Sequence, residues 1–126
     1  MRAIDTNVLV RLITGDDASQ AAAAGIFVQK GAWVSILALA EAIWVLTAVY
    51  DLRPTDLGIA IEMLLNHRDL TLENSDVVAA ALRLFRSRPA LGFSDCLILQ
   101  LARKAGHLPL GTFDRSLGKI DGAQKL

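Results

Sequence analysis

Short apolar runs alternate along the chain with longer stretches of helical period, the pattern of an α/β protein whose strands pair mainly in parallel. "RAIDT" reads as a strand entering a turn, and "NVLVRLI" as a helix start that Thr6 or Asn7 can cap. "GDDASQAAAAGIFVQK" is a second helix with acids in its first turn, where the helix dipole favours negative charge. "AWVS" is a second strand, after which Ser35 can cap a long apolar helix reaching Tyr50. "PTDLGIAIEMLLN" is a helix and "LTLE" a third strand. "SDVVAAALRLFRSR" has a cap, an apolar stripe and a basic last turn, so it is a helix. "SDCLILQLARKAG" repeats that plan and ends at Gly106 as a C-cap, and "LPLGTFD" is the fourth strand. No linker or internal repeat interrupts the series. A chain of 126 residues, 53% of them hydrophobic, is expected to form one domain over residues 1–126 around one core.

Charge narrows the possible partners. Thirteen Lys plus Arg balance thirteen Asp plus Glu, so no global positive field draws in nucleic acid or membrane, and a polyanion must be met locally. The single cysteine, Cys96, excludes an internal disulfide and a cysteine zinc site, and it reads as a small buried hydrophobe. An acid at Asp5, before any long apolar stretch, argues against a signal peptide, and a reducing cytoplasm is the expected location. The stretch from Ala32 to Tyr50 is long enough to cross a bilayer, but Glu41 at its centre would cost roughly 3 kcal/mol there. A buried helix and no membrane association are expected instead. A mean hydropathy of +0.42 is high for this size, which suggests apolar surface covered by a partner or a second copy.

Glu41 poses the chemical question. It is the only charged residue from Gly31 to Tyr50, and its helical neighbours Leu37, Ala38, Trp44 and Val45 are apolar. An ionised carboxylate left among such side chains costs several kcal/mol unless paired, hydrogen-bonded or metal-bound. Ligands of parallel sheets bind beyond the carboxyl ends of the strands. Asp5 ends the first strand, Asp114 follows the fourth, and Asp95 starts a helix after "LGF". Each has an ordinary explanation: an Asx-turn for Asp5, a helix-start acid for Asp95, a turn for Asp114. Convergence of all four would explain them together and would call for a divalent cation. Oxygen-only ligands suit Mg²⁺ or Mn²⁺, the ions of phosphodiester hydrolysis.

In this order, "IDTNVLVRL", "LALAEAIWVL", "GFSDCLIL" and "LGTFDRSL" resemble the PIN-domain ribonucleases, most closely the VapC-like toxins of toxin–antitoxin pairs. The resemblance covers nearly the whole chain. It implies a three-layer α/β/α fold around a central parallel sheet of four to five strands, a Mg²⁺ or Mn²⁺ site, and cleavage of single-stranded RNA. It also implies Asp5, Glu41, Asp95 and Asp114 as the catalytic and metal-binding acids, with Asn7 and Thr112 as polar residues that orient them. A cognate antitoxin and a homodimer are implied partners. One departure is Ser116, where many relatives carry a further acid. Arg86, Arg88 and Arg115 are candidate RNA-phosphate contacts, which would position a strand without reading its bases. His67 and His107 fall in loops and are not expected to be ligands, while Trp33 and Trp44 are expected in the core or an interface.

Two other readings fit part of the pattern. A phosphoacceptor receiver domain has similar length and an acidic pocket. It needs an acidic pair after the first strand and a Lys after the last, whereas Asp5 precedes Thr6 and Asn7 and no Lys directly follows "LGTFD". A non-catalytic RNA-binding or regulatory PIN-like domain keeps the fold without the chemistry, and degenerate sites of that kind usually lose an acid that is retained here.

Overall fold

Strand β1 (Arg2–Ile4) ends at Asp5, which caps helix α1 (Thr6–Thr14) by accepting the Val8 amide at 3.1 Å. The capping residue is therefore Asp5 and not Thr6 or Asn7, because the strand stops one residue earlier than its sequence suggests. Gly15 closes α1 in the left-handed conformation, at φ +67°, where a side chain would be strained. Asp17 caps α2 (Ala18–Val28) from outside, so the acids expected within its first turn sit just before it.

The computed structural model describes all 126 residues and resolves them into two units, Met1–Ser75 and Asp76–Leu126. In the first, β2 (Ala32–Val34) leads through the Ser35 cap into α3 (Ile36–Ala48), followed by α4 (Pro54–Leu65) and β3 (Leu70–Leu72). The strands run parallel in the order β1-β2-β3, with Ile4 opposite Val34 and Val34 opposite Leu72. Helix α1 packs against α2 and α3. Leu9 and Val10 of α1, Leu39 and Leu46 of α3, and Ile61 and Leu64 of α4 are fully or almost fully buried.

The second unit holds most of α5 (Ser75–Ser87), then α6 (Phe93–Ala105), β4 (Leu110–Thr112), a 3₁₀ turn (Leu117–Lys119) and β5 (Ala123–Lys125). Phe85 and Phe93 meet edge to face with centroids 5.7 Å apart, a contact that contributes about 0.5–1.5 kcal/mol beyond its buried area. Gly106 ends α6 in the left-handed conformation, as its sequence position predicts.

The α/β class and the parallel pairing match the sequence reading. The five strands are divided, however, into a three-stranded and a two-stranded parallel sheet. β5 escapes the sequence pattern because "AQK" holds one apolar residue, Ala123, and so shows no apolar run.

Helix α3 corrects another expectation. It buries Ala38, Leu39, Ala42, Ile43 and Leu46 but presents Leu37, Glu41, Trp44 and Ala48, spaced four, three and four apart, to solvent. An apolar composition on all sides does not bury a helix that is packed on one side only. Leu37 is 69% exposed and Trp44 67%, so Trp44 lies outside the core. The apolar stretch from Ala32 is also broken into a strand and a thirteen-residue helix, and no helix is long and apolar enough to cross a membrane.

Candidate active site

Each unit carries two of the four candidate acids. In the first, Asp5 is exposed and held by its capping bond, while its carbonyl accepts the Leu9 amide at 3.1 Å. The next residue, Thr6, donates its Oγ1 hydroxyl to Glu41 Oε2 at 2.7 Å. Packing of α1 on α3 thus joins Glu41 to the helix turn that Asp5 caps. Glu41 is exposed, so the desolvation expected from its apolar neighbours does not arise. Thr6 was missed by sequence reasoning. Its one visible signal is a hydroxyl directly after the strand-end acid, which a cap explains equally well.

Asn7 is exposed beside Asp5, at a cavity of about 410 Å³ between α1 and α2. Arg11, at the same cavity, donates from Nε to Gln20 Oε1 at 2.7 Å and from Nη1 to the Tyr50 hydroxyl at 3.2 Å. That hydroxyl donates to Asp16 Oδ2 at 2.9 Å. The chain ties α1 to α2 and to the loop after α3, and this fixes one wall of the cavity.

In the second unit, Asp95 lies in the first turn of α6, after the Gly92 cap. It is half-buried and receives no hydrogen bond. Burial, and then the negative charge of Asp114, push its carboxyl above the ordinary Asp value of 3.8. Glu41 was expected to be the uncompensated acid, and the structure assigns that condition to Asp95.

Asp114 is exposed and firmly positioned. Its amide donates to Thr112 Oγ1 at 3.0 Å, its Oδ2 accepts the Leu117 amide at 2.6 Å, and its carbonyl accepts the Gly118 amide at 2.9 Å. Thr112, the last residue of β4, therefore orients the Asp114 backbone. The turn and cap roles foreseen as ordinary explanations for Asp5 and Asp114 are real. They leave most of each carboxylate free, because a carboxylate offers about four lone-pair sites and each of these uses one.

Burial, followed by the charge of Asp95, raises the Cys96 thiol to about 11, so it is protonated at neutral pH and behaves as the hydrophobe its position suggests. His67 Nδ1 accepts the Asp69 amide, and His107 is exposed. Arg86, Arg88 and Arg115 are all exposed.

Nowhere do three or more Asp, Glu, His or Cys side chains gather closely enough to hold a metal ion. The structure brings Asp95 within electrostatic reach of Asp114, and links Glu41 to the first turn of α1. The donor chemistry nonetheless fits a hard divalent cation. All four candidates are oxygen donors, and a cation beside Asp95 would offset both causes of its raised carboxyl.

A family model for the PIN domain matches residues 3–123. The chain belongs to the PIN-domain family. PIN domains are generally nucleases and typically use divalent metal ions. Comparison with curated proteins gives no match.

Proposed function

We propose that this PIN domain is a metal-dependent endoribonuclease that hydrolyses phosphodiester bonds of single-stranded RNA. Asp5, Glu41, Asp95 and Asp114 are its metal-binding and catalytic acids. The observation that carries this reading is Asp95, a half-buried carboxylate with no hydrogen-bond donor, within electrostatic reach of the Asp114 carboxylate in a member of a nuclease family. Such a pair is unfavourable unless the site has a use for concentrated negative charge.

Mg²⁺ or Mn²⁺, when bound, supplies Lewis acidity and a more acidic water. The chain's own residues hold and orient the ligands. The Val8 amide fixes Asp5, Thr6 aims one oxygen of Glu41, and Thr112 with the amides of Leu117 and Gly118 fixes Asp114. Asn7, beside Asp5, is available to orient substrate or water.

The proposal extends to biological role: the chain acts as the toxin of a type II toxin–antitoxin pair in the cytoplasm, as a homodimer restrained by an antitoxin. Supporting this are the exposed apolar side chains Leu37, Trp44, Ile59 and Met63 on α3 and α4, which suit burial against a protein.

The test is cleavage of single-stranded RNA by purified protein with Mg²⁺, with Mn²⁺ and with excess chelator. Cleavage should require the metal, and Asp5→Asn and Asp95→Asn should each remove most of it. Undiminished cleavage in chelator would overturn the metal mechanism.

A further inference from the structure

The second unit has a cleft of about 260 Å³ whose chemistry is the opposite of that at the acids. Its lining includes Arg88 just after α5, and Ser116 and Lys119 from the turn that Asp114 opens, but no Asp or Glu. Pro89, Leu91 and Ile120 complete an apolar wall. The chain as a whole is electrically balanced, with thirteen basic and thirteen acidic residues, so two cations lining one acid-free cleft are a local departure from the average. Neither Arg88 nor Lys119 has a carboxylate partner, and both are exposed.

The turn that carries Lys119 is rigidly placed. The Asp114 carboxylate and carbonyl hold the Leu117 and Gly118 amides, and the Lys119 amide donates to the Ser116 carbonyl at 3.3 Å. Gly118 lies so close to β5 that a Cβ there would stand 2.7 Å from Lys125 Cβ. The same short turn therefore presents a carboxylate at one end and an ammonium at the other.

We propose that this cleft is a phosphate subsite for the RNA strand, in which Arg88 and Lys119 hold a backbone phosphate that neighbours the one hydrolysed at the acids, and the Ser116 hydroxyl donates to it. The proposal rests on the ribonuclease reading and names the part of the chain that grips the substrate. Such contacts give affinity and register without base selectivity. A carboxylate at position 116 would repel the same phosphate.

The experiment measures binding of a fluorescent single-stranded RNA oligonucleotide to the full chain by anisotropy, in chelator to prevent cleavage, across a salt series. Each lost phosphate contact should flatten the log–log salt dependence by about 0.7 for a single strand. Arg88→Ala with Lys119→Ala, which together remove the one contact, should therefore flatten it by about 0.7, and Ser116→Asp should weaken binding at least as much as Lys119→Ala. All three positions are exposed, and matching melting curves would show that the variants fold. An unchanged affinity and slope in the double variant, with a parent that binds and cleaves RNA, would overturn the subsite and leave the nuclease reading intact. A parent that neither binds nor cleaves RNA would overturn both. Protection of the parent by inorganic phosphate, lost in the double variant while RNA affinity stays unchanged, would assign the cleft to a free anion and overturn the RNA assignment.

Discussion

Asp5 is placed to do two jobs, and two substitutions separate them. As the N-cap of α1 it accepts the Val8 amide at 3.1 Å, and as a candidate ligand it supplies negative charge. Asp5→Ala removes both. Loss of an N-cap costs about 1 kcal/mol within a range of roughly 0.5–2, and the exposure of Asp5 places it in the lower half. Unfolding entropy of about 2.1 cal/mol/K per residue over 126 residues gives about 0.26 kcal/mol/K, so Asp5→Ala should lower Tm by about 4 °C. Asp5→Asn keeps an oxygen that caps equally well and gives up only the charge–dipole attraction, a few tenths of a kcal/mol at an exposed helix start. It should melt within about 2 °C of the parent and still lose most of its metal-dependent cleavage. The assays are thermal melting by circular dichroism in chelator, and RNA cleavage with Mn²⁺. An Asp5→Ala protein that melts with the parent would refute the capping argument. An Asp5→Asn protein that cleaves at the parental rate would refute the ligand role.

Two further predictions concern the second unit. The carboxyl of Asp95 is raised in the folded protein, so its contribution to stability is complete below its unfolded value of 3.8 and is lost as pH rises through the folded value. Melting curves in chelator over a pH series should accordingly show the parent losing stability relative to Asp95→Asn across that window, with the variant at or above the parent at neutral pH; parallel curves would count against an uncompensated carboxylate. Gly118→Ala must push β5 away from the 3₁₀ turn, since its Cβ would meet Lys125 Cβ at 2.7 Å and Lys125 Cα at 3.3 Å. Overpacking of this kind costs on the order of 1–3 kcal/mol, which a lowered denaturation midpoint would report.

Most helices and their ends were legible in the chain because periodicity and capping are local. Ser35 caps α3 through the Ala38 amide, Gly106 ends α6, and the apolar stripe of α5 is the face that its buried Val78, Ala81 and Phe85 occupy. The order of the four acid-bearing motifs also lies in the sequence, and it pointed to the family that the model match establishes. Exposure was not legible in the same way. Glu41 looks stranded when its neighbours are read along the chain, yet it stands on the face of α3 left open to water, because burial depends on which side of a helix meets another element. Asp95 looks like an ordinary helix-start acid until folding sets Asp114 within reach and leaves its carboxylate without a donor. The Thr6–Glu41 bond joins residues thirty-five positions apart, a distance over which only the packing of α1 on α3 carries information.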